Sequence, residues 1–226
     1  GTQLGEQLEE IFGGTYVLPR PLFAENKPIE PDVCYHQVAA LRKDWITALG
    51  FEVKDSYKTS ELLAMAQAIK ENDPGNVGDA LIPIGGNITD LERMFVDSNS
   101  AHASETHTKR ATFYQDENGQ YVWGPANEET LTGLTLYHQA YTDGLLYPEF
   151  FNLKGTEARD AFEKSGYVGM IFVDGMAKGF QQTSEYFREY LGLDADEAVH
   201  YAYVQGEDGY FHSPALVNMY LSLIHI

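Results

Sequence analysis

The chain has 226 residues, 43% hydrophobic and 22% charged, the composition of a globular protein with one large core or two modest ones. Acidic residues outnumber basic ones 34 to 15, a formal net charge of −19; this leaves few cations to hold phosphates and excludes nucleic acid as a partner. The single cysteine, Cys34, excludes an internal disulfide and a Cys-based zinc site.

In chain order, Leu4, Leu8, Ile11 and Phe12 recur at helical spacing before Gly13-Gly14. A short strand at Tyr16 to Leu18 gives way to a proline-rich loop, Arg20 to Asp32, and then to an extended run from Val33 to Leu41. Asp44 to Leu49 predicts a short helix closed by Gly50. Leu62, Leu63, Ala66 and Ile69 make the apolar stripe of a helix starting near Thr59 or Ser60, with Glu61 answering its dipole. Ala80 to Ile84 predicts a strand, the Gly85-Gly86-Asn87 turn follows, and a helix is expected from about Thr89 to Asp97. Ser98 to Arg110 reads as irregular, with His102 and His107 in solvent. Asp116-Glu-Asn-Gly119 joins Thr112–Tyr114 and Gln120–Trp123 in a hairpin. Asn127 caps a long helix whose apolar face is expected to be Leu131, Leu134, His138, Tyr141 and Leu145. Ala158, Ala161 and Phe162 mark a helix, Tyr167 to Val173 a buried strand, Gly175 to Leu191 a helix, and Tyr201 to Val204 a last strand before the Gly206–Gly209 turn. Helices and strands alternate without repeats, the pattern of an α/β fold.

Several of these segments carry recognisable motifs. Leu41-Arg-Lys-Asp-Trp-Ile-Thr-Ala-Leu-Gly50 is followed by Lys70-Glu-Asn-Asp-Pro74 and by Ile82-Pro83. Gly124-Pro125 opens a helix that closes as Tyr141-Thr-Asp-Gly-Leu-Leu-Tyr-Pro-Glu-Phe150, and Ser165-Gly-Tyr-Val-Gly-Met170 comes next. In order and spacing, over roughly residues 11 to 215, these resemble the extracellular solute-binding proteins, family 1, of bacterial ABC importers. The resemblance implies a type II periplasmic-binding-protein-like α/β fold of two lobes, of which mainly one is present. Residues 1–32 would be the tail of the first lobe, 33–41 a hinge crossing strand, 42–200 the second lobe and 201–226 the return crossing. The start without Met and the abrupt apolar end read as a piece of a longer chain.

The implied function is non-catalytic: capture of a small polar solute, an oligosaccharide first and a peptide second, and its delivery by a monomer to a membrane permease. The family also implies an extracellular site and a lipid anchor on a signal-segment cysteine, which Cys34 cannot supply. Strand ends at the cleft make Asp174 and Gly175 candidate ligand contacts, with an N-cap role as the rival for Asp174. Tyr35 and His36 on the crossing strand stand against hinge packing, Asn87 against a plain turn role, and Trp123 as a stacking platform against surface or interlobe packing. Trp45 is expected in the core and Arg42 at the helix start. Asp73, Asn76 and Asp79 could hold calcium in a shortened loop that lacks a terminal bidentate Glu; a plain Asx turn is the alternative. No cofactor is expected. The alternative function is an extracellular carbohydrate-active enzyme or an accessory carbohydrate-binding module. A glycosidase would need two facing carboxylates, and Glu128-Glu129 and Asp194/Asp196 sit instead in helix-start or loop contexts. A structural or adhesive role without a small ligand is the third reading.

Overall fold

The computed structural model describes Glu10 and residues 37–104, 107–154, 156–174 and 177–212, and side chains there except at 102–104, 107, 174, 177 and 178. The elements expected before Gln37, together with Cys34, Tyr35, His36 and Gly175, lie outside the described residues.

The extended run expected to end at Leu41 is described from Gln37 as β1, Gln37–Arg42, and every residue of it is buried. Its Val, Ala and Leu side chains alternate between two apolar layers, as a strand covered on both faces requires. Arg42 ends the strand and fixes the helix that follows, α1 (Lys43–Ala48). Its guanidinium donates to both Asp44 carboxylate oxygens, at 2.9 and 2.5 Å, and to the Gly166 carbonyl at 3.1 Å. It also lies 4.3 Å from the ring centre of Trp45, which is buried as expected.

A short strand that the sequence did not announce, β2 (Ser56–Lys58), leads into α2 (Thr59–Asn72). Leu62, Leu63, Met65, Ala66 and Ile69 are all buried. Burying side chains of this size contributes about 1.5–3 kcal/mol each. The first turn of α2 is satisfied by two carboxylates. Glu61 accepts from the Lys58 N–H at 2.8 Å, and Glu207, from the turn beyond the last strand, accepts from the Ser60 N–H at 2.8 Å. Next come β3 (Ile82–Gly85) and α3 (Ile88–Glu92), whose last turns widen over Arg93–Asp97.

The segment expected to be irregular contains a small paired ladder, β4 (His102–Ser104) with β5 (His107–Thr108). The predicted hairpin forms as β6 (Phe113–Gln115) and β7 (Tyr121–Trp123). Gly119 takes the left-handed turn position at φ 76°, and the Asp116 carboxylate accepts the Asn118 and Gln120 N–H groups.

The long helix α4, Glu128–Thr142, is capped by Asn127, which accepts from the Thr130 N–H at 2.7 Å. Its buried face corrects the expectation. Leu131, Leu134, His138 and Tyr141 are exposed, Leu145 alone of the expected set is buried, and the face turned inward is Thr130, Gly133 and Ala140. Gly133 is the reason: a Cβ there would lie 2.7 Å from both the Phe95 carbonyl oxygen and the Val96 Cα. Small residues bring α4 onto the widened turn of α3, and the larger ones are left outside.

The remaining elements are α5 (Glu157–Asp160), β8 (Val168–Asp174), α6 (Ala177–Tyr186), α7 (Ala195–Ala198) and β9 (Val199–Gln205). The main sheet has the order β2-β9-β1-β8-β3. Four strands run in one direction, and β1 alone runs antiparallel to its neighbours β8 and β9. On one face Ala39, Leu41, Met170, Phe172, Ala202 and Val204 pack with α2 and α3. On the other, Ala40, Ile171 and Val199 pack with Phe162, Phe187, Ala195 and Ala198. The result is a mixed sheet between two helical layers, an α/β architecture. Among the described residues no helix is long and apolar enough to cross a membrane.

Candidate functional site

Because four strands run together, their carboxyl ends share one edge of the sheet, and β1 begins there, with Gln37 opposite Asp174. Open α/β sheets bind ligands beyond that edge. A cavity of about 190 Å3 lies there, beyond β3 and β8. Its floor is Ile171, Phe172 and Val173, and its polar wall is Gln37, Asn87, Asp90, Arg93, Thr156 and Arg159. This is below the roughly 300–1,000 Å3 of a complete small-molecule site. A second cavity of about 230 Å3 runs along β3, shares Gly86 and Ala158 with the first, and adds Tyr147 and Tyr167. A larger depression of about 450 Å3 lies between α2 and α4, lined by Leu63, Ala64, Leu136 and other side chains of the two helices. The strand-end cavity is the better candidate because polar side chains from three segments converge on it.

Local sequence explains how each polar group is presented. The Gly85-Gly86 turn ends β3, and Asn87 then caps α3, its Oδ1 accepting the Thr89 and Asp90 N–H groups at 2.9 and 3.0 Å. With that oxygen committed, the Asn87 amide nitrogen remains as the donor for a ligand. Arg93 falls on the same helix and faces the same cavity. Arg159, on α5, is held from behind. Its Nε donates to Glu163 at 2.7 Å, and one Nη donates to the Gly179 carbonyl at 2.8 Å and to Thr183 at 3.3 Å. Glu163, 1% exposed, also accepts from the Thr183 hydroxyl at 2.5 Å. Behind this cluster burial pushes the Tyr201 phenol up, an effect that the Glu163 charge increases and that Thr183 and Arg159 oppose. Arg159 thus presents its remaining donors with little freedom left to lose, which favours binding through preorganisation.

The structure treats the sequence-predicted residues differently. Asn87 is in the cavity wall. Asp174 is at the end of β8, paired in register with Gln37, with only its backbone described. Trp123 is on the separate β6–β7 sheet, 49% exposed and 4.6 Å from the Phe113 ring, and is not among the residues lining this cavity. At the calcium candidate, Asp73 caps the end of α2, and its two carboxylate oxygens accept the Val77 and Gly78 N–H groups at 2.8 Å each. The turn folds against Trp45, where a Cβ on Gly75 would stand 2.2 Å from Cζ2. Among the described residues no group of three or more His, Cys, Asp or Glu side chains could hold a metal ion. Asp194 caps α7 by accepting from the Asp196 N–H, and Glu129 lies 3.6 Å from Lys109, so these acids support local structure. Sequence reasoning missed Gln37, Asp90, Arg93, Thr156 and Arg159. Asp90 and Arg93 carry a linear signal, their place on the helix that follows β3; Gln37 at the start of β1, and Thr156 and Arg159 at the start of α5, carry none.

No family model matches the sequence, and no curated protein matches it. Solved structures do match its fold. The ABC-transporter substrate binding protein FusA of S. pneumoniae, in complex with kestose, superposes with a TM-score of 0.56 at 16% identity over 96% of this chain and 42% of FusA. A solute binding protein of an ABC transporter from Agrobacterium vitis S4, with bound D-mannitol, gives 0.53 at 15% identity over 86% of this chain and 40% of its own. A chitin oligosaccharide binding protein gives 0.51 at 15% identity over 90% and 44%. The chain thus spans about two fifths of the length of these proteins. All three are binding proteins, and over that length this chain shares their type II periplasmic-binding-protein-like α/β fold, of which it spans mainly one lobe.

Proposed function

We propose that this chain supplies one wall of the solute site of an ABC importer's binding protein, and that the solute is an oligosaccharide. The observation that carries the reading is the strand-end cavity, with planar amide, carboxylate and guanidinium groups set around an apolar floor. Such groups offer fixed donors and acceptors at the angles that neighbouring sugar hydroxyls need, and the adjoining Tyr147 and Tyr167 offer ring faces. The sugars and oligosaccharides bound by proteins of the same fold support it. On this reading residues 33–41 and 201–226 are the crossings between this lobe, residues 42–200, and a second one. Asp174, Gly175, Tyr35 and His36 then join Asn87 in contacting the solute. Closure of the second lobe over the solute presents a surface that the permease distinguishes from the open form. The protein then acts outside the cell, held to the membrane by a lipid anchor elsewhere in the full chain.

Thermal unfolding of the chain with a panel of neutral and acidic oligosaccharides tests the reading. At a ligand concentration one hundred times Kd, binding to the folded form adds about 2.7 kcal/mol and raises Tm. Asn87→Ala should weaken that rise. A panel in which no oligosaccharide shifts Tm overturns the proposal.

A further inference from the structure

Resting on the carbohydrate reading of the cavity, the geometry points to a narrower ligand class: we propose that the solute carries an oxyanion, a carboxylate or a sulfate, seated against Arg93. Arg93 is the exception among the described arginines that are not exposed. Arg42 is paired with Asp44, Arg110 with Asp97 and Glu92, and Arg159 with Glu163. Arg188 is exposed to solvent. Arg93 is half-buried in the cavity wall, and its guanidinium has no hydrogen bond or ion pair among the described residues. A guanidinium stays charged at any accessible pH, and removing it partly from water without an anion is costly.

The shortage of a partner is not a shortage of acids, since the chain has 34. Glu92, its neighbour in sequence, is turned toward Arg110 at 3.7 Å. Asp90, one helical turn earlier, lines the same cavity and takes part in an interaction of its own, but no ion pair joins it to Arg93. Glu163 is occupied by Arg159 and Thr183. The fork of the Arg93 guanidinium matches a carboxylate or a sulfate ester in bidentate fashion. The Asn87 amide, at the start of the same helix and lining the same cavity, offers a donor to the neutral hydroxyls beside that anion. The pattern is that of an acidic sugar: one anionic substituent for Arg93 and neutral hydroxyls for its neighbours.

The test is a glycan array carrying neutral, uronate-bearing and sulfated oligosaccharides, followed by calorimetric titration of the best acidic ligand and its neutral counterpart. The acidic ligand is expected to bind at least about tenfold tighter, the scale of one hydrogen-bonded charge pair. Arg93→Gln should bring the acidic-to-neutral affinity ratio to about one, Arg93→Lys should retain part of it, and Arg188→Gln should leave it as in the parent. Circular dichroism melts of each variant establish that it is folded. Preference for uronate over sulfate, or the reverse, identifies the oxyanion. Equal binding of neutral and acidic ligands, or a preference that survives Arg93→Gln, overturns the inference and leaves the carbohydrate reading standing. Binding to no glycan overturns both.

Discussion

Helices α2 and α4 are nearly equal in length, 14 and 15 residues, and each carries leucines at helical spacing, yet they pack in opposite senses. In α2 the leucines face the sheet and lie fully in the core. In α4 Leu131 and Leu134 are 62% and 45% exposed, and the inward face is glycine, alanine and threonine. The difference lies in what each helix meets. α2 lies over a sheet of small and branched side chains that leaves room for large ones. α4 meets backbone, the widened turn of α3, and only small residues let two backbones come that close. Thr130 adds a specific bond, its hydroxyl reaching the Gly124 carbonyl at 3.1 Å. Tyr137, between the two faces, stacks on Phe95 at 5.4 Å, and burial pushes its phenol up. Periodicity therefore reports that a helix has an apolar face, while the smallest residues report which face is covered.

Three tests would sharpen or break this contrast. Leu62→Ala in α2 removes a fully buried side chain from between helix and sheet, and should cost about 2–5 kcal/mol in denaturant unfolding. A cost under about 1 kcal/mol would mean that α2 is not packed as described. Gly133→Val in α4 forces a methyl-bearing carbon into backbone atoms, and should cost about 1–3 kcal/mol or more, although alanine and valine exceed glycine in side-chain burial. Neutrality there would remove close approach as the reason for the inverted face. Leu131→Gln with Leu134→Gln should change stability by no more than about 0.5 kcal/mol each. A larger loss, or a change of mass in sedimentation, would show that another surface covers these leucines in solution.

What the sequence disclosed follows the same division. Local devices were legible because they act over a few residues: Asn127 as a cap, Gly50 and Gly119 at positive φ, the Leu62–Ile69 stripe of α2. The fold class was legible because strands and helices alternate and because the motifs around Trp45, Gly124 and Gly166 keep their order. The short strand β2 was not, since three polar-flanked residues gain strand geometry only by pairing with β9. Of the candidate site, Asn87 could be named from its place after β3, but Arg93 and Arg159 could not. Each sits inside a helix, where an arginine ordinarily reads as solvated surface. They meet at one cavity because β3 and β8 are neighbours in the sheet although more than eighty residues separate them in sequence.

The central strand carries one more consequence. β1 begins, and β9 ends, at the sheet edge that holds the cavity, and the two are hydrogen-bonded neighbours from Ala39↔Ala202 to Arg42↔Val199. Any body joined to the chain through both would be tethered at two points about 5 Å apart. Two tethers so close together resist twisting and sideways sliding but leave bending about the line between them soft. Mechanically such a junction is a leaf with one soft bending direction, set where β1 begins and β9 ends.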